Sequence, residues 1–244
     1  MRLNLRGKIV VVSGVTSGIG GALVPRLLDE GAIVAGVGRD AARLGALASG
    51  WGACVFPVVA DLSSPEATQR ACDDVLKRFD RVDVVVNNAA ECVYEAPLAL
   101  PMDRWRSLLE VNLFSVIEMT RRFVERMPAG GHIVNVSSST TRFLPNERFA
   151  AYALTKGALE SWHGAIRLEL EARRIKTTLV LPGLVDTPIY DKVAGFEKAR
   201  GKLRESVPEW LAAGDVADAI VWTLCRPSHV AVGEITLFPV GQAR

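Results

Sequence analysis

The chain has 244 residues, 49% hydrophobic and 23% charged, enough to bury one substantial core but cramped for two, so a single domain over 1–244 is expected. A formal net charge of +2 provides no field for nucleic acid or an anionic membrane surface, and no stretch reaches the roughly 18 apolar residues of a spanning helix. The scattered Cys54, Cys72, Cys92 and Cys225 and the distant His132, His163 and His229 form no metal-ligand pattern, so reduced thiols, a cytoplasmic location, no metal and a small-molecule partner are expected.

The first apolar run, 8–13, has strand length and no alternation, the pattern of a strand buried on both faces. It leads directly into Ser13-Gly14-Val15-Thr16-Ser17-Gly18-Ile19-Gly20, and a helix-period segment follows over 20–30. Strand, glycine turn and helix in this order suit a pyrophosphate. Gly14 permits the tight turn, Gly18 lets the phosphates approach the backbone, and Gly20 allows close packing, while the helix N-terminus offers free N–H groups. Strand-like runs recur at 33–37, 54–60, 82–87, 132–137, 177–181 and 234–238, alternating with helix-period segments at 65–79, 102–127, 152–173 and 216–225. Ser64-Pro65-Glu66 marks a helix start with a capping residue, a first-turn proline and an early acidic charge. Leu181-Pro182-Gly183 ends a strand, because proline brings no donor to a continuing ladder. The fold class is therefore α/β, a doubly wound parallel sheet of about seven strands with helices on both faces, the Rossmann arrangement. An irregular excursion over 183–213 carries Pro188, Ile189, Tyr190, Val193 and Phe196 among charged residues, the make-up of an amphipathic lid.

Six motifs in order resemble the short-chain dehydrogenase/reductase family over nearly the whole chain. They are the glycine turn; Asp61 in Ala60-Asp61-Leu62; Asn87-Asn88-Ala89-Ala90; Asn112 after Val111; Ser137-Ser138 after Ile133-Val134-Asn135-Val136 with Tyr152-Ala153-Leu154-Thr155-Lys156; and Pro182-Gly183-Leu184-Val185-Asp186-Thr187. The resemblance implies a nicotinamide dinucleotide held by Gly14, Thr16, Ser17, Gly18, Ile19, Gly20, Arg39, Asp61, Leu62, Asn88, Ala89, Tyr152, Lys156, Pro182, Gly183, Val185 and Thr187. It also implies catalysis by Ser138, Tyr152, Lys156 and Asn112, and a homodimer or homotetramer built on the helices that begin near Met102 and Tyr152. Two departures stand out. Ala90 replaces the family's glycine, and Ser138 precedes Tyr152 by 14 positions where the family commonly has 13, which leaves Ser138 and Ser139 both in play. Ser138 is preferred because it keeps the family's offset from the preceding strand.

Tyr152 and Lys156 are four apart, so on a helix they share a face and their side chains converge. A phenol ordinarily titrates near 10, and bringing it to neutrality takes roughly 4 kcal/mol, part of which a neighbouring ammonium supplies. The family mechanism has Ser138 bind the substrate oxygen, Tyr152 pass it a proton, Lys156 bind the nicotinamide ribose and Asn112 hold a water linking Lys156 to solvent.

After the second strand the chain reads Val37-Gly38-Arg39-Asp40, with no carboxylate where NAD-selecting members place one and a guanidinium one position on. NADP(H) is therefore favoured over NAD(H), with Asp40 either capping the next helix or reaching the ribose. The expected activity is reduction of a ketone or aldehyde, or the reverse oxidation of an alcohol. The alternatives are a noncatalytic dinucleotide sensor and an epimerase or lyase that uses the nicotinamide transiently.

Overall fold

The computed structural model describes residues 5–144, 146–191 and 193–242; the remaining positions of the expected 1–244 domain and of the 183–213 segment lie outside the described residues. The strands are β1 (Ile9–Ser13), β2 (Ile33–Gly38), β3 (Val55–Val59), β4 (Val84–Asn87), β5 (His132–Val136), β6 (Lys176–Pro182), β7 (Val185–Asp186), β8 (Leu211–Ala212) and β9 (Glu234–Leu237). Seven of them form one sheet in the order β3-β2-β1-β4-β5-β6-β9, and β7 and β8 pair separately. Every pairing is parallel. The helices are α1 (Gly18–Asp29), α2 (Ala41–Trp51), α3 (Pro65–Arg78), α4 (Met102–Leu109), α5 (Ser115–Val124), α6 (Ala150–Glu171), α7 (Glu197–Ser206) and α8 (Ala213–Leu224). Among the described residues no helix is long and apolar enough to cross a membrane.

Alternating side chains on a strand point to opposite faces, and the central strands are apolar on both. Val10 and Val12 join Leu23, Val24 and Leu27 of α1 and Val216 and Ile220 of α8 in one layer. Ile9 and Val11 join Cys72 and Val75 of α3, Phe123 of α5 and Leu170 of α6 in the other. At the two sheet edges the expectation of full burial fails. β3 exposes Pro57 and Val59, and β9 alternates exposed with half-buried positions, as edge strands with a neighbour on one side only.

Three further differences from the sequence reading concern helices. The single helix expected over 102–127 is α4 and α5 joined by a π-turn, Glu110–Phe114, and ends at Val124. α2 was not among the periodic segments, since Leu44 is its one buried residue. α7 lies inside the expected excursion. Pro182 itself is the last residue of β6, where it pairs with Leu237, and Gly183 then donates to the Leu237 carbonyl at 2.7 Å. Just beyond, Leu184 N–H donates to Gln242 Oε1 at 2.9 Å, which fastens the chain after β6 to the C-terminal turn.

Two buried histidines sit in this core. His132 Nε2 meets Thr178 Oγ1 at 2.7 Å, and His163 Nδ1 meets Asn135 Nδ2 at 3.0 Å. Burial pushes them down to about 3 and about 4, so both are neutral when folded and charge in the unfolded chain below about 6.5. The unfolded state then binds more protons, and stability falls as pH drops through that window, by up to about 1.4 kcal/mol per pH unit for each histidine. Urea-unfolding midpoints are therefore expected to fall between pH 6.5 and 5, with a shallower slope in His163→Gln. A flat profile would contradict the assignment of both groups as neutral.

Candidate active site

The strand order reverses between β1 and β4, and a cleft of about 800 Å³ opens there at the carboxyl ends of the strands. Gly14, Thr16, Ser17, Gly18 and Ile19 line its floor. Gly14 (φ 75°) and Gly18 (φ 54°) both adopt the left-handed conformation that makes the turn. α1 begins at Gly18, earlier than expected, with no side-chain cap at Ser17 and no acidic residue in its first turn. Its first N–H groups and positive dipole end thus face the cleft uncompensated, which suits phosphates. Gly20 does not line the cleft. It is buried beneath the turn, where a Cβ would collide with the Gly14 carbonyl oxygen and stand 2.6 Å from Asn88 Nδ2.

Across the switch point, Ser13 Oγ accepts from the N–H groups of Asn88 and Ala89, both at 3.0 Å, and Asn88 Nδ2 donates to Ser13 O at 2.9 Å. These bonds tie the end of β4 to the glycine turn. Asn88, Ala89 and Ala90 line the cleft, as do Pro182, Gly183, Val185 and Thr187 on its far side. A Cβ on Gly18 would touch Thr187 Cβ at 3.3 Å, so the segment after β6 closes over the turn.

At one end lie Gly38, Arg39, Asp61 and Leu62. Burial raises the Asp61 carboxyl, but hydrogen bonds from the Ser63 N–H and hydroxyl and the charge of Arg39 outweigh it and hold the group below its ordinary range. Asp40 resolves as a cap. Its Oδ1 accepts from Arg43 N–H at 3.0 Å and its Oδ2 pairs with Arg43 Nε at 3.3 Å. Arg43 lines the cleft beside Arg39 and was missed in the sequence, where the helix after Asp40 was expected only as something to cap and its first turn was not placed at the site. A side chain at position 38 would require Thr16 to shift, since its Cβ would lie 2.8 Å from Thr16 Cγ2.

At the other end Ser138, Tyr152 and Lys156 line the cleft together, whereas the buried Ser139 does not. Thr140 N–H and its hydroxyl donate to Ser138 Oγ at 3.2 and 3.0 Å. Glu160, one turn beyond Lys156, accepts from Ser137 and Thr141 hydroxyls at 2.6 Å each and so braces the loop that carries Ser138. Lys156 is 2% exposed, and its Nζ donates to Val136 O at 2.8 Å. Burial lowers it to about 8, against an upward pull from Cys92 and Glu160. Tyr152 opens partly onto the cleft but is crowded by protein. That crowding, with Cys92 and Tyr190 nearby, raises its phenol well above the ordinary value, and a hydrogen bond with Ser138 opposes the rise. The expected lowering of this phenol by Lys156 is thus not what this chain's own groups produce, although Nζ lies 5.9 Å from the Tyr152 ring centre. Burial pushes the adjacent Cys92 thiol up to about 12, so it stays protonated and unreactive.

Asn112 does not reach the cleft. It is fully buried in the π-turn, where its Nδ2 donates to Glu91 O at 2.9 Å and Thr155 Oγ1 at 3.0 Å, and its Oδ1 accepts from Glu91 N–H at 2.8 Å. It joins the chain after β4 to α6 one residue before Lys156. Glu91, which pairs with Arg104 at 2.7 Å, lines the cleft and was also missed; its place directly after the Asn-Asn-Ala-Ala motif was the available signal.

A parallel sheet with a glycine turn, an open helix N-terminus and a cleft at its switch point defines a dinucleotide-binding protein of the Rossmann type. The short chain dehydrogenase family model matches residues 8–198, and the chain belongs to that family of oxidoreductases. An uncharacterised oxidoreductase of Staphylococcus epidermidis is 30% identical over 97% of this chain and 99% of its own. The serine 3-dehydrogenase of Rhizobium radiobacter is 28% identical over 96% and 94%. Among solved structures, a closed serine dehydrogenase complexed with NADP+ superposes with TM-score 0.86 at 25% identity, covering 97% of this chain and 96% of that one. A blue fluorescent protein from a metagenomic library, in complex with NADPH, superposes with TM-score 0.88 at 27% identity, covering 98% and 100%.

Proposed function

We propose that this chain is an NADPH-dependent reductase of ketones or aldehydes, working in reverse as an alcohol dehydrogenase, with Tyr152 as its acid and base. The observation that carries the reading is the convergence of Ser138, Tyr152 and Lys156 at one end of a cleft whose floor is a glycine turn opening a helix. Bound there, the nicotinamide supplies the hydride that such a reaction needs. Ser138 orients the substrate oxygen, and Tyr152 delivers a proton to it from a phenol that its surroundings keep protonated. Lys156 binds the ribose, and Asn112 is a positioning residue that fixes the floor of this end through Glu91 and Thr155. The chain acts as one domain with residues 183–213 as the lid, in a cytoplasmic homodimer or homotetramer.

The preference for NADP(H) rests on Arg39 and on the absence of any carboxylate at Gly38. Asp40 also lines the cleft, but it caps α2 and pairs with Arg43, which offsets its charge beside a 2′-phosphate. The neighbours solved with NADP+ or NADPH support the same preference. Titration should give tighter binding of NADPH than NADH, and Arg39→Ala should narrow that gap by on the order of 10-fold, the effect of losing one charge-assisted contact. Tighter NADH binding in the wild type would refute the assignment. The activity itself is tested by a screen of carbonyl compounds and alcohols with both dinucleotides, followed at the nicotinamide absorbance. No turnover of any compound by a protein that binds NADPH would leave a noncatalytic binder.

A further inference from the structure

We infer that the substrate of this site is an uncharged carbonyl compound with an apolar, ring-bearing body, selected by Tyr94 and Tyr190; this rests on the reductase reading. Both tyrosines line the cleft at the Tyr152 end, and both rings lean on Phe196, which is 1% exposed. Tyr94 meets Phe196 edge to face at 5.2 Å, and Tyr190 stacks on it at 5.0 Å. Phe149, itself buried, packs on Tyr94 at 5.1 Å and on Phe196 at 5.5 Å. Buried phenylalanines thus hold the two lining rings in place, and rings so fixed favour another ring by edge or offset contact. Cys92, Val93 and Val193 complete an apolar wall.

The charges at this end are already used. Among the described residues, Glu91 pairs with Arg104 at 2.7 Å, Glu95 with Arg148 at 3.8 Å and Asp191 with Arg200 at 2.9 Å. Lys156 spends a donor on Val136 O. A substrate carboxylate would leave water without gaining a free cation, which is the costly way to bury a charge. An amino acid, the substrate class in the names of the serine dehydrogenases, is therefore not what these walls accept. In the reaction proposed, the C=O π bond breaks as the carbon gains hydride from the reduced dinucleotide and the oxygen gains the Tyr152 proton. The products are an alcohol and the oxidised dinucleotide, and solvent returns the proton to Tyr152.

The test compares acetophenone with 4-acetylbenzoate, alike in shape and different in charge. Affinity for the dinucleotide-saturated protein is read by calorimetry and kcat/KM from NADPH oxidation. On the order of 100-fold preference for acetophenone is expected in both. Tyr190→Leu and Tyr94→Leu should each raise KM for acetophenone about 10-fold with NADPH affinity unchanged. A binding preference without turnover supports the substrate class and defeats the reductase reading. Equal binding, preference for the carboxylate, binding of neither ketone, or oxidation of L-serine as fast as 1-phenylethanol overturns the substrate class, whatever happens to the reductase reading.

Discussion

Tyr152→Phe should reduce kcat by about 10²–10⁴-fold on whatever carbonyl compound the wild type reduces, the usual size of a lost general acid. The substitution keeps the ring, which packs with Cys92, Phe149, Val193 and Phe196, so the wall of the cleft should survive and stability should change little. NADPH affinity should remain within a few-fold of the wild type, because the hydroxyl is one contact among many along the cleft. The loss should therefore appear in kcat rather than in dinucleotide binding. Activity within 10-fold of the wild type would remove Tyr152 from the chemistry and would point to another proton donor at that end.

The second large effect is expected at Gly20. Helix propensity alone would favour alanine there by about 1 kcal/mol. The added methyl group, however, would meet the Gly14 carbonyl oxygen and the Asn88 amide, and the first of these is backbone with nowhere to move. Overpacking of this kind typically costs about 1–3 kcal/mol, so it outweighs the propensity gain. Because Gly14 and Asn88 are the two sides of the switch point, relief by movement would distort the phosphate floor. Gly20→Ala should lower NADPH affinity by at least about 10-fold and lower the unfolding midpoint. Gly21→Ala is the matched control. Its methyl would find only ordinary contact, 3.5 Å from the Val15 carbonyl oxygen, and should leave both quantities unchanged or raise stability slightly. Equal behaviour of the two variants would show that the turn is not packed as described.

The central sheet was legible in the sequence because runs such as Val10-Val11-Val12 feed two layers at once and need no polar face. The edge strands were legible as strands, at 54–60 and 234–238, but not as edges, since β9 alternates like a strand in an antiparallel sheet and its place beside β6 is a tertiary fact. α2 was foreseen only as the helix that Asp40 could cap: with Leu44 as its one buried residue it lacks an apolar stripe, so its extent, and Arg43 in its first turn, went unread. The π-turn is invisible to a periodicity argument, because one inserted residue barely disturbs the pattern of α4 and α5. At the site, Ser138, preferred for its offset from β5, lines the cleft and Ser139 does not, although Ser138 stands at an unusual distance along the chain from Tyr152. What spacing could not supply was the electrostatics. Burial raises the Tyr152 phenol and lowers the Lys156 ammonium, and both effects come from neighbours far away in the chain.

The bond from Leu184 N–H to Gln242 Oε1 spans 58 positions and joins the start of the substrate segment to the last described residue. During synthesis, β1, the glycine turn and α6 emerge and can begin to pack well before that anchor exists. The anchor of the segment after β6 is therefore among the last contacts that a nascent chain can make.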